Sequence, residues 1–169
     1  MLQNTSDLKI LVNKYLEEFN SFCEQNELVG KVAADHVGLK CSTKAKYEFQ
    51  RELFEVDSRF LYQSIISKRR ISIIGLNEGL ETVVGPLNYL ELSDQKSDGS
   101  QIDLIDHLEI VPITISYEGL LEIIKNNGIE VKEIIRPHHT THDVVLPSGF
   151  IVRLSHEMLI DKIKREEMV

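Results

Sequence analysis

The chain reads as an α+β fold, two βαβββ modules forming a half-open curved sheet, with an extra helix at each end. Three observations lead there. The order strand, helix, strand, strand, strand occurs twice. Both copies open on a D-H pair, Asp35-His36-Val37 and Asp106-His107-Leu108, and close on a similar strand, Leu90-Glu91-Leu92-Ser93 and Val152-Arg153-Leu154-Ser155. Between them stands Ser93 to Gln101, SDQKSDGSQ, with the composition of a linker.

The elements follow in order. From Ser6 to about Gln25, Leu8, Leu11, Tyr15, Leu16, Phe19 and Phe22 recur every three or four residues, one apolar helical face that Ser6 can cap. Gly30 ends this region, and Lys31 to Cys41 has the alternation of a strand. Ser42 or Thr43 caps a second helix with Ala45, Phe49 and Leu53 at i, i+4 spacing, widened by Tyr47 and Phe54. Strands are expected at Arg59 to Ile66, Arg70 to Leu76 and Asn88 to Ser93, with turns around Asn77, Gly79, Gly85 and Pro86.

The second copy begins with the β-branched, apolar run Leu104 to Ser116. Its helix, Tyr117 to Asn127, puts Leu120, Ile123 and Ile124 on one face between a Ser116 cap and Gly128. Ile129 to Pro137, Thr141 to Leu146 and Phe150 to Ser155 are strand-like, the last two joined by a Pro147-Ser148-Gly149 turn. A charged helix, Glu157 to Glu167, follows. The expected organisation is a single domain over 1–169: a helical extension 1–30, a first module 31–95, a linker 96–103, a second module 104–156 and a C-terminal helix 157–169.

Composition bounds the function. The chain has 169 residues and 42% hydrophobic content, enough for one core. A formal charge of −8 repels phosphate backbones, so nucleic-acid binding is not expected, and Lys68-Arg69-Arg70 reads as a solvated turn. Cys23 and Cys41 form neither a C-x-x-C pair nor a disulfide framework. No stretch approaches the roughly 18 apolar residues of a membrane span, and the first residues lack a signal's apolar region. A cytoplasmic protein without a membrane partner is the inference.

Strand parity locates the chemistry. With Val37, Leu39 and Cys41 facing a covering helix, His36 faces the other way; Leu90 and Leu92 do the same for Glu91, and Leu108 and Ile110 for His107 and Glu109. Val152 and Leu154 send Arg153 to that open face as well. Two imidazoles and a carboxylate suit a borderline divalent cation such as Zn²⁺, Ni²⁺, Mn²⁺ or Fe²⁺, with coordination positions left for a substrate.

The segments Ala34 to Cys41, Leu90-Glu91-Leu92, Asp106 to Val111 and Gly149 to Leu154 resemble the corresponding strands of the YecM-type bacterial proteins. That family belongs to the vicinal oxygen chelate superfamily, with glyoxalase I, extradiol dioxygenases, epimerases and bleomycin-resistance proteins. The resemblance runs from about residue 6 onward. It implies metal ligands on the first and fourth strands of each module, which carries over to His36, Glu91 and His107. The fourth position departs from the pattern, because glyoxalase-like members usually have glutamate where this chain has Arg153. An arginine cannot ligate a metal, so water or substrate completes the shell, or the metal has been lost.

The remaining candidates are weighed on chemistry. Arg153 suits a substrate carboxylate or phosphate, held bidentately. Glu109 is a candidate general base, with an ion pair to Arg153 or Lys40 as the alternative. His142, in the dense group His138, His139 and His142, is a candidate acid/base or substitute ligand, and Tyr89 a candidate wall of a substrate pocket. The terminal helices are read as cover for the sheet or as a homodimer surface. The leading expectation is a metal-dependent lyase, isomerase or oxygenase acting on a small oxygen-rich anion. The alternatives are a metal-free small-molecule-binding protein of the resistance type, or a regulatory module.

Overall fold

A computed structural model describes residues 2–66, 68–135 and 140–167. Its elements, in chain order, are α1 (Ser6–Gln25), β1 (Val32–Lys40), α2 (Lys44–Val56), β2 (Phe60–Ile66), β3 (Arg69–Leu80), β4 (Leu87–Ser93), β5 (Leu104–Pro112), α3 (Tyr117–Asn126), β6 (Lys132–Ile135), β7 (Thr140–Val145), β8 (Ile151–Leu154) and α4 (Leu159–Glu167). This is the expected α+β order, βαβββ twice between terminal helices. The strands hydrogen-bond in the order β2-β3-β4-β1-β5-β8-β7-β6, so the sheet is open, ending at β2 and β6. Within the first module β1 pairs parallel with β4, and β3 antiparallel with both β2 and β4.

The chain gathers into two compact units. One takes residues up to Tyr15, His36–Leu80 and Leu87–His107; the other takes Leu16–Asp35, Glu81–Pro86 and the chain from Leu108. The units do not follow the module boundaries, because β1 divides before His36 and β5 after His107.

In the first unit, helix α2 is capped by Thr43, whose side chain accepts from the Lys46 N–H. Its buried face is the expected one only at Tyr47 and Phe54. Tyr47, Gln50 and Phe54 are buried, while Phe49 is 44% exposed. The i, i+4 series through Ala45 lies about one residue round the helix from the face that packs on the sheet, and Gln50 enters the core because its amide has a partner: Nε2 donates to the Leu2 carbonyl at 3.0 Å. Strand β3 also differs, running through Asn77 and Gly79, where turns were expected; its register on β4 shifts between Gly75 and Leu80, an irregularity that absorbs both residues. The polar linker is anchored by Gln101, only 5% exposed, whose Nε2 lies 2.8 Å from the Cys41 carbonyl and 2.9 Å from that of Asp94. Arg70 is no solvated charge: it pairs with Glu48 and with Asp94 and lies 4.6 Å over the Tyr47 ring.

In the second unit Ser116 caps α3 by accepting from the Gly119 N–H at 3.0 Å, as expected, and Gly128 takes a φ of +75° just beyond the helix. Tyr117, Leu120 and Ile124 are its buried face. Strand β6 is shorter than expected, Lys132–Ile135. His138 and His139, the first two of the histidine group, lie outside the described residues. At the N-terminus, Ser6 does not cap α1; Asn4 does, its Oδ1 accepting from the Asp7 N–H at 3.1 Å.

Candidate metal centre

Register places the site. Parallel pairing of β1 with β4 sets His36 opposite Tyr89 and Gly38 opposite Glu91, and antiparallel pairing of β3 with β4 adds Gly75 and Ile73 to the same rows. Directly paired residues share a face, so His36, Tyr89 and Glu91 lie on one side of the sheet, away from the side where Val37, Leu39, Leu90 and Leu92 are buried.

That side is closed at its centre, where openness was expected. His36 and His107 are each only 2% exposed, and Glu109 9%. Two glycines explain the closure. A Cβ on Gly38 would lie 2.6 Å from Cε1 of His107, so the His107 imidazole rests directly on the bare backbone of β1. A Cβ on Gly75 would meet the Phe60 ring at 2.5 Å, so Phe60 occupies the next hollow and stands 6.0 Å from Tyr89. The His36 and His107 rings meet edge to face, centroids 5.4 Å apart and planes at 83°.

Each ring is oriented by carboxylates. His36 Nε2 lies 3.8 Å from Oε2 of Glu91, whose other oxygen accepts from the Ser93 hydroxyl at 3.2 Å. Nδ1 of His107 lies 2.9 Å from Oδ2 of Asp106, and Lys40 pairs with the other Asp106 oxygen. Burial alone would raise the Asp106 carboxyl, but the hydrogen bonds and charges of His107 and Lys40 outweigh it and hold the group well below the usual carboxylate range. An ionised carboxylate can only accept, so Nδ1 of His107 donates to it, and Nε2 is the ring nitrogen left to offer a ligand atom.

Along β5, Glu109 follows His107 by two positions and therefore shares its side. The first unit thus sets the imidazoles of His36 and His107 beside each other, with the carboxylate of Glu91 next to His36. This set of two buried imidazoles and a carboxylate fits a borderline divalent cation by donor chemistry. Glu91 lies beside His36, and Glu109, considered for proton transfer, belongs to the second unit. Nothing in the alternation distinguishes the two glutamates, since both share the histidines' parity.

The remaining candidates sit in the second unit. Arg153 forms a bidentate pair with Asp143, Nε to Oδ1 at 2.8 Å and Nη2 to Oδ2 at 2.9 Å, across the β7–β8 pairing that aligns the two residues. His142, one residue earlier on β7, is turned to the helix side, where its Nδ1 lies 2.8 Å from the Tyr117 hydroxyl of α3. Alternation requires this: Asp143 and Arg153 share one face, so His142 takes the other. Burial lowers the His142 imidazole below its ordinary value. Burial first, and then the carboxylates of Glu109 and Asp143, push the Tyr117 phenol up to about 12. Tyr117 also donates to the Leu154 carbonyl at 3.0 Å and stacks on His156, centroids 3.6 Å apart. The sequence reading did not single out Tyr117 or Asp143. The signal for Asp143 was available in the Arg153 parity, which calls for a buried counter-charge.

Among the described residues no helix is long and apolar enough to cross a membrane. The sequence profile of the family described as "YecM protein" matches residues 4–147. No curated protein sequence matches the chain. Among solved structures, one described as "Structural Genomics, Protein EC4020" is similar at 20% identity, covering 94% of this chain and 92% of that one, with a TM-score of 0.66. Methylmalonyl-CoA epimerase from Mycobacterium tuberculosis is similar at 10% identity, over 78% of this chain and 91% of that one, with a TM-score of 0.50. Those likenesses are of fold alone. With more than half of its length matched, the chain belongs to the YecM family.

Proposed function

We propose that this protein binds a divalent metal ion through His36, His107 and a carboxylate, Glu91 or Glu109, and acts as a lyase, isomerase or oxygenase on a small oxygen-rich anion. The observation that carries this reading is the pair of buried imidazoles, His36 and His107, with ring centroids 5.4 Å apart and Oε2 of Glu91 at 3.8 Å from His36. Two imidazoles beside a carboxylate are the donor set that a borderline divalent cation takes. The ion is Zn²⁺, Ni²⁺, Mn²⁺ or Fe²⁺ on donor type. When bound, it supplies Lewis acidity toward vicinal oxygens.

The chain's own residues supply the rest. Asp106, braced by Lys40, keeps the proton on Nδ1 of His107 and fixes the ring. Of the two glutamates, the one that does not ligate stands beside the ligands as a proton acceptor. Tyr89, half-buried in the same row as His36, walls the substrate's side. Arg153 is the anion anchor, sharing its guanidinium with Asp143. His142, turned to α3, has no part in this reading. The protein is cytoplasmic, and the terminal helices offer a surface to a second copy.

The test is metal analysis of protein purified without chelator, followed by His36→Ala and His107→Ala. One ion per chain, lost in both variants, is expected. Substoichiometric metal unchanged by either substitution would overturn the reading.

The Arg153–Asp143 pair favours a second reading, in which this architecture holds a small molecule without metal. A cation at the fourth ligand position, neutralised internally, is then a replacement for a ligand. Small-molecule binding by metal-stripped protein at undiminished affinity would decide for it.

A further inference from the structure

The first unit contains a cavity of about 250 Å³ between α1, α2 and the ends of β1 and β5 that the proposed metal chemistry does not use. Leu11, Leu39, Leu104 and Ile105 make its apolar wall, and Lys14 and Gln50 are among its polar lining. Two features of that lining call for a ligand.

The first is Gln50. Its side chain is 1% exposed, and the Leu2 carbonyl accepts from Nε2 at 3.0 Å, which fixes which way the amide points. Oε1 is then a buried acceptor with no hydrogen-bond partner among the described residues. Such acceptors are rare in folded proteins, because leaving one unmade costs its full desolvation. The second is Lys14. The other two lysines of the lining are neutralised, Lys40 by Asp106 and Lys46 by Asp103, whereas Lys14 has no ion pair among the described residues and stands exposed. An acceptor in the wall, an uncompensated cation and apolar side chains between them describe the complement of one kind of molecule.

We infer that this cavity is a binding site for a small amphipathic carboxylate that carries a hydrogen-bond donor such as a hydroxyl on its chain. The carboxylate pairs with Lys14, the hydroxyl donates to Oε1 of Gln50, and the alkyl part lies against Leu11, Leu39, Leu104 and Ile105. The volume falls below the roughly 300–1,000 Å³ of sites for drug-sized ligands, so the occupant is of fragment size. The site is distinct from the metal centre and stands whether or not metal binds.

The experiment titrates the isotopically labelled full-length protein with 3-hydroxyhexanoate, hexanoate and hexan-1-ol and follows backbone amide shifts. Saturable shifts are expected at Leu11–Tyr15, Leu39–Cys41 and Leu104–Ile105, with a dissociation constant on the order of 1 mM for the hydroxy acid, given its few heavy atoms. Hexanoate should bind about fivefold more weakly for want of the donor, and the alcohol about tenfold more weakly for want of the charge. Lys14→Met should remove the preference for acid over alcohol while leaving alcohol binding unchanged. Leu11→Trp should fill the cavity and abolish all three. Equal affinity for alcohol and acids, shifts centred elsewhere, undiminished binding to folded Leu11→Trp, or no saturation at about ten times the expected constant would each overturn the assignment.

Discussion

The two modules answer the same geometrical problem in different ways. In the first, the D-H strand and the closing strand present an imidazole and a carboxylate 3.8 Å apart, His36 and Glu91. In the second, the closing strand presents Arg153, and the neighbouring strand returns a carboxylate to it as a bidentate pair with Asp143. Glu91 keeps 24% of its side chain exposed, while Arg153 and Asp143 keep 15% and 8%. One module therefore keeps its carboxylate partly exposed, and the other neutralises its charge within the β7–β8 pair. The proposed metal site uses one of these two equivalent positions, and the other is left to stabilise the sheet.

The contrast breaks most easily at Arg153. Removing one partner of a buried pair leaves a charge without compensation, so Arg153→Ala should cost about 3 kcal/mol, read as a fall in Tm of about 8 °C. Glu91→Ala should cost less than about 1 kcal/mol, because its ion pair is partly solvated, while weakening metal binding. Equal destabilisation by the two would show that the modules do not divide the labour. The double variant Arg153→Met with Asp143→Leu should recover most of the lost stability in thermal melts, since replacing both partners of a buried pair by apolar groups is often neutral.

Gly38 gives the next effect. Gly38→Ala places a methyl inside contact distance of the His107 ring and should cost about 2 kcal/mol, with a drop in metal affinity of at least tenfold as the imidazole is displaced. Normal stability and normal metal titration in this variant would mean that His107 does not need its seat on β1.

The two buried tyrosines compare the helix sides of the modules. Tyr47 bonds to Gln63 at 3.0 Å and to Ser72, while Tyr117 bonds to His142 and to the Leu154 carbonyl. Either Tyr→Phe change should cost about 1 kcal/mol in denaturant melts. Only the second module should add a pH dependence. His142 is held below its ordinary value of 6.5 by burial, so the unfolded chain takes up a proton that the native state resists. Stability from this group is full above about pH 6.5 and is lost as pH falls below it. Wild type should lose more Tm between pH 7 and pH 5 than His142→Asn, and parallel profiles would remove His142 from the account. The pH values here bracket the ordinary imidazole range.

Much of this was legible in the chain. Period-two alternation around Asp35-His36 and Asp106-His107 was enough to set both histidines and both glutamates on one side, because strand parity depends only on which residues are apolar. The α3 cap at Ser116 and the turn at Gly128 were equally local. What was not legible depends on neighbours distant in sequence. The face of α2 turned on a hydrogen bond from Gln50 to Leu2, which no helical period reveals. Closure of the sheet face at His36 turned on Gly38 admitting an imidazole from another strand.

The seat of His107 on Gly38 also gives a rule for comparing sequences of this kind. Gly38 stands two residues after the first motif histidine, and Glu109 stands two residues after the second. The copies look alike as D-H motifs, yet the glycine and the glutamate are not interchangeable, because the empty place beside one histidine is filled by the ring of the other. A relative that keeps both histidines but carries a bulky residue at the first of these positions has to hold its second imidazole elsewhere. Pairing D-H-x-G with a later D-H-x-E is therefore a sharper mark of this arrangement than either motif alone.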